Sequence, residues 1–159
     1  SSRPWANRMP GLRERTMKND LEELRHWFRT WGDHVAAVDF QSARPLFSAD
    51  VIGFGTHAAF VVGIDALQKE QWGKIWPNIS GFRFLVDDLV GAIDGNSAWA
   101  AVPWTSTGYD EAGAAFDRPG RATVTFHRVS GQWLGTHTHF SLHPGVPHRT
   151  HGPRGVAST

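Results

Sequence analysis

Nine histidines and eight tryptophans in 159 residues, with no cysteine, set the chemistry open to this chain. Imidazoles titrate near neutral pH and can act as acids and bases. Indoles supply flat apolar walls with one polar edge. The most pointed arrangement is Asp87-Asp88, inside a run that reads as a strand from Phe82 to Ile93. Neighbours on a strand face opposite ways, so Asp88 shares its face with Phe82, Phe84, Val86 and Val90 and is expected to point inward. A carboxylate among apolar side chains has a raised pKa, which suits a general acid or base. His127, on a later strand, is its expected partner in proton transfer. His57, after the first strand, is a further candidate base at a pocket mouth. Trp27, Trp31, Phe54, Trp104 and Phe140 are candidate walls for a hydrophobic, aromatic small molecule. Thr125 and Thr136 are candidates to orient its polar group.

The placement of His127 depends on one turn. His137 and His139 share a strand face about 6.8 Å apart. A two-residue turn at Ser130-Gly131 pairs residue 127 with 134 and sets His127 with Thr136, Thr138 and Phe140, away from the other two histidines. A three-residue turn with a bulge puts all three imidazoles together, as a three-His metal site would need. The sequence leaves both registers open. No carboxylate accompanies His137-x-His139 at ligand spacing, and no metal is expected. The two histidines read instead as part of the sheet's outer face. With Trp133 on that same face, which an exposed indole would leave in need of cover, a homodimer is expected through it.

These residues need elements to hold them. Residues 1–18, with Pro4, Pro10 and Gly11, read as an irregular arm, 19–143 as one domain and 144–159 as an irregular tail. The spacing of Leu21, Leu24, Trp27, Phe28, Trp31, Val35 and Val38 predicts a helix starting near Asp20, with Asp20 and Glu23 as a capping box. A short second helix is predicted over 40–47. A third opens at Gly63-Ile64-Asp65, carries Leu67, Trp72, Ile75 and Trp76 inward, and stops at Pro77. After Pro77 the period falls to two. Strands are predicted over 82–93 and 97–109, with a turn at Asp94-Gly95-Asn96, then a hairpin of 121–129 and 132–142. Helices followed by an antiparallel meander give an α+β fold, a curved sheet wrapped around three helices, with the cone's interior as the default ligand site.

Composition removes several functions. Sixteen basic against fifteen acidic residues leave a net charge of +1, without the basic face of a nucleic-acid binder. No apolar run is long enough to span a bilayer. The lack of cysteine excludes disulfides and fits a cytoplasmic location. There is no phosphate loop, dinucleotide fingerprint or nucleophile elbow.

The segments Ala37-Val38-Asp39-Phe40, Leu46-Phe47-Ser48-Ala49-Asp50-Val51 and Gly63-Ile64-Asp65, and above all Phe126-His127-Arg128-Val129-Ser130-Gly131-Gln132-Trp133 followed by His137-Thr138-His139-Phe140-Ser141, resemble the nuclear transport factor/SnoaL-like superfamily over roughly residues 20–143. The ending is similar to that of the association domain of calcium/calmodulin-dependent protein kinase. The resemblance implies a cone fold, and a superfamily holding ketosteroid isomerase, dehydratases, cyclases, cofactor-free lyases and non-catalytic oligomerising domains. Against ketosteroid isomerase, Trp31, Gly55 and Thr123 stand where that enzyme has its tyrosine and two acids, so its reaction is not expected. The expectation is a cofactor-independent acid–base enzyme of the lyase, isomerase, dehydratase or cyclase type acting on an aromatic molecule; by resemblance alone, a formaldehyde-releasing aromatic lyase is one version. The alternative is a non-catalytic ligand-binding or oligomerising domain.

Overall fold

The computed structural model describes residues 10–153, with side chains from 21 onward. Helix α1 runs Pro10–Ala36. It therefore starts well before Asp20, which lies within it and does not cap it, and residues 10–18 are helical where an arm was expected. Proline is at home in a first helical turn, where its missing N–H has no partner to lose. The periodic positions Leu24, Trp27, Phe28, Trp31 and Val35 are all buried. Helix α2 (Phe40–Ala43) is capped by Asp39, whose carboxylate accepts from Ser42 N at 3.1 Å, and continues as a 3₁₀ turn over Arg44–Leu46. The third helical segment begins as α3 (Ile64–Leu67), widens to a π turn over Gln68–Trp72, resumes as α4 (Gly73–Ile75) and closes in a 3₁₀ turn over Trp76–Asn78.

The strands are β1 (Phe47–Phe54), β2 (Val61–Val62), β3 (Ser80–Phe84), β4 (Val90–Asp94), β5 (Ser97–Tyr109), β6 (Ala115–Asp117), β7 (Gly120–Val129) and β8 (Gln132–Leu142). They form one curved, unclosed sheet in the order β2-β1-β8-β7-β5-β3, with β4 and β6 also paired to β5. Every pair is antiparallel except β1 with β8, which is parallel. The helices fill the concave side, and the core joins α1 to the inward residues of β5, β7 and β8. Beyond β8, residues 143–153 are irregular and cross the sheet's end, and the rest of the expected tail lies outside the described residues. There Thr150 Oγ1 donates to Asn78 O at 2.6 Å and accepts from Tyr109 N at 2.9 Å. Among the described residues no helix is long and apolar enough to cross a membrane.

Two local features decide where the chemistry goes. First, the run predicted as one strand over 82–93 is two, β3 and β4, separated by a 3₁₀ turn over Val86–Asp88. Both pair with β5, but residues 85–89 bypass Val102 and Pro103. Pro103 accepts from Leu85 N at 2.8 Å and has no N–H to return, so the ladder breaks there. Asp87 and Asp88, poor strand formers, occupy the detour. Second, β7 and β8 are joined by the two-residue turn Ser130-Gly131, both at positive φ, pairing Val129 with Gln132 and His127 with Leu134. Further along, Phe126 pairs with Gly135 but Thr125 with His137, so Thr136 is an extra residue in β8. One extra residue reverses the facing of everything beyond it.

Candidate functional site

A chamber lies between α1, the third helical segment and the concave face of the sheet. Trp31 and Val35 of α1 form one side, Trp72 and Trp76 another, and Phe82, Trp104 and Phe140 the sheet side. The cavity between them is small, about 30 Å³, and opens to solvent. The aromatic rings interlock: Trp72 stacks on Trp76 at 4.7 Å, and Phe140 meets Trp31 at 5.4 Å and Trp104 at 5.9 Å.

Arg118 is the charged group of this lining, and it is only 1% exposed. It follows β6, and Ser106 fixes its backbone from both sides: Arg118 N donates to Ser106 O, and Ser106 Oγ donates to Arg118 O, each at 2.8 Å. Its side chain passes over Gly108, where a Cβ would lie 2.6 Å from the Phe116 ring and 3.2 Å from Arg118 Cδ, so a residue without a side chain is needed. The guanidinium sits 5.4 Å from the centre of the Trp104 ring. Arg118 Nη2 donates to Thr56 Oγ1 at 3.0 Å, while Nε is buried without a partner. Among the described residues no carboxylate pairs with it. Burial lowers its pKa to about 10, so it stays protonated at neutral pH. That shift corresponds to a cost of roughly 3 kcal/mol for holding the charge in the empty fold.

Several other polar groups of the chamber lack partners. Gln71, 6% exposed, has a buried Oε1 with none. The π turn places it in the lining, as such turns often do at functional sites. The Nε1–H groups of Trp31, Trp72 and Trp104 are buried and unpartnered as well. Gly55, matched above to the isomerase aspartate, is closed by this glutamine: a Cβ there would lie 2.5 Å from Gln71 Cδ.

Of the residues singled out in the sequence, Trp31, Trp104 and Phe140 line this chamber. The others do not. Asp88 is exposed in the 3₁₀ turn, not inward on a strand, because the ladder breaks opposite Pro103. His127 is exposed on the convex face: the two-residue turn forms, but the bulge at Thr136 aligns that face with His137 and His139 rather than with Thr138 and Phe140. Thr125 and Thr136 share a hydrogen bond of 2.7 Å and line a groove on that face with Trp99 and His127. His57 is exposed in the loop beside Thr56. Phe54 lies on the convex side against His137 and His139, at 4.7 and 5.2 Å. Trp27 is core, edge-on to Phe47 and Phe126. Trp133, expected beside His137 and His139, is buried, and its Nε1 donates to Glu23 at 3.0 Å; the same bulge separates it from them. His137 Nδ1 donates to Ile52 O at 2.9 Å, and its ring centre is 6.4 Å from that of His139. Among the described residues no group of three or more His, Asp or Glu is placed to hold a metal ion.

The chain matches the family model of the SnoaL-like domain over residues 24–144. The chain belongs to the SnoaL-like domain family. Solved structures agree on the cone fold of this SnoaL-like domain. It is similar to a nuclear transport factor 2-like superfamily protein of Salmonella enterica, with a TM-score of 0.68 and 17% identity over 81% of this chain and 96% of that one. A protein of unknown function from Pseudomonas putida gives 0.65 and 24%, over 79% and 88%. The association domain of C. elegans CaMKII gives 0.62 and 17%, over 79% and 98%. No curated protein matches the sequence. Members of the superfamily include isomerases, dehydratases and hydroxylases.

Proposed function

We propose that this SnoaL-like domain binds a small hydrophobic, aromatic molecule in its chamber. The observation that supports this is an aromatic wall carrying buried polar groups with no protein partner: Gln71 Oε1 and the indole N–H groups of Trp31, Trp72 and Trp104. A buried polar group left unpaired costs about 1–3 kcal/mol, so a run of them around one space favours an occupant that pairs them. The test is a thermal-shift and tryptophan-fluorescence screen of small aromatic molecules. The expected hit raises the melting temperature in proportion to ln[ligand] and loses its effect in Trp104→Ala. Hits insensitive to that change would place the ligand elsewhere.

Binding is better supported than proton-transfer catalysis, because no carboxylate or imidazole is among the described lining. One observation favours an enzyme of lyase or isomerase type: the lining is rich in donors, as a site that stabilises an oxyanion must be. Solvent-deuterium incorporation into a bound aryl ketone would carry the reading from binding to turnover. We further propose a homodimer through the convex face, where Trp99 is 44% exposed; the resemblance to an association domain supports oligomerisation. Light scattering at micromolar concentration should give twice the chain mass, and a monomer there would end that proposal.

A further inference from the structure

We infer that the chamber's ligand is an anion, a small aromatic monocarboxylate whose carboxylate pairs with Arg118. The inference rests on the chamber reading above and sharpens it to a substrate class. Its basis is a charge without a counter-charge. Arg118 is the buried cation of the lining, and among the described residues none of the ion pairs involves it. The interactions that hold it are weak substitutes for an anion: one hydroxyl, Thr56 Oγ1, and the face of Trp104. Its Nε–H is buried with nothing to accept from it.

The fold is built to keep it there. Ser106 clamps the backbone of Arg118 on both sides, and the bare Gly108 leaves a path for the side chain. A guanidinium presents N–H groups in a fork that matches the two oxygens of a carboxylate. The free Nε–H, beside an Nη held only by a hydroxyl, is the arrangement an arriving carboxylate would complete. The indole donors add further hydrogen-bonding capacity in the same lining, and no acidic side chain stands there to repel an anion. A dianion is not matched, because one guanidinium supplies one charge.

The experiment compares benzoate with benzamide, the same ring and shape with the charge removed, by isothermal titration and thermal shift near neutral pH. Wild-type protein is expected to bind benzoate at least about tenfold more tightly than benzamide. Arg118→Met should remove that preference while leaving benzamide affinity within a few fold. Arg118→Lys, which keeps the charge but not the fork, should retain part of it. Circular dichroism and the unliganded melting temperature report folding of each variant. Equal binding of the two probes to wild type overturns the anion inference and leaves the chamber reading standing. Retention of the benzoate preference in a folded Arg118→Met protein also overturns it. Failure of both probes to bind wild type removes the chamber reading and the inference with it.

Discussion

The two faces of one sheet carry polar groups in opposite states. On the convex face of β7 and β8 they are satisfied: Thr125 with Thr136, Arg121 Nε donating to Ser141 Oγ at 2.8 Å, and His137 tied to Ile52 O. On the concave side Arg118 Nε, Thr138 Oγ1, Gln71 Oε1 and the indole N–H groups of Trp31, Trp72 and Trp104 are buried without partners. The convex face holds the histidines that look like chemistry in the sequence, and the concave side holds an arginine that does not. Satisfied groups stabilise the fold; unsatisfied ones in a closed space mark where something else is expected to bind. Breaking the concave side should therefore separate binding from stability, and breaking the convex face should leave binding untouched.

The largest effect is expected at Trp104. It is 1% exposed and contacts Phe82, Phe140 and the Arg118 guanidinium. Truncation to alanine removes packing on both sides of the chamber, for a loss of about 3–5 kcal/mol in chemical denaturation and of aromatic binding. A loss below about 1 kcal/mol would mean the walls collapse readily, against a preformed chamber.

Arg118→Met sharpens the comparison by moving stability and binding in opposite directions. Replacing a buried, unpaired charge with an apolar side chain of similar length is expected to stabilise the empty fold by about 1–3 kcal/mol, while the benzoate preference disappears. The pH dependence follows from the lowered pKa. The unfolded chain holds this proton more tightly, so the penalty is complete below the folded value of about 10 and fades as pH rises from there toward the higher value of the unfolded chain. The stability gap between variant and wild type should be flat across about pH 6–9 and narrow above about pH 10. A destabilised variant would show instead that Arg118 serves packing.

What the sequence revealed, and what it hid, divides along the same line. Periodicity located the aromatic core, because Leu24, Trp27, Phe28, Trp31 and Val35 are dictated by burial on one helix face. The Ser130-Gly131 turn was legible as one of two alternatives, since a local conformation needs local residues. The faces beyond it were not. The bulge at Thr136 has no side-chain signature, yet it reverses His137 to Leu142. Asp88 was misplaced because the ladder break depends on Pro103, a residue of the facing strand. Arg118 sits in Asp117-Arg118-Pro119-Gly120, which reads like any solvated loop. The signals for it were indirect: Gly108 on the neighbouring strand and the run of aromatics with no acid among them.

The smallest effects are expected where the sequence first pointed. Asp88 is exposed, and its backbone N–H donates to Leu85 O, so the 3₁₀ turn is held by main chain rather than by the carboxylate. His127 is exposed on the convex face, with strand pairing to Ser97 and Leu134 that does not depend on its ring. Neither side chain is among the chamber's lining. Asp88→Asn and His127→Ala should each change folding stability by no more than about 0.5 kcal/mol, the usual range for surface positions away from special features. Benzoate affinity should stay within about twofold of wild type in both, singly and combined, because neither change removes a group that faces the ligand. If the double variant loses the benzoate preference while its circular dichroism is unchanged, the convex face and the detour over Val86–Asp88 are coupled to the chamber, and the separation of the two faces fails at its weakest expected point.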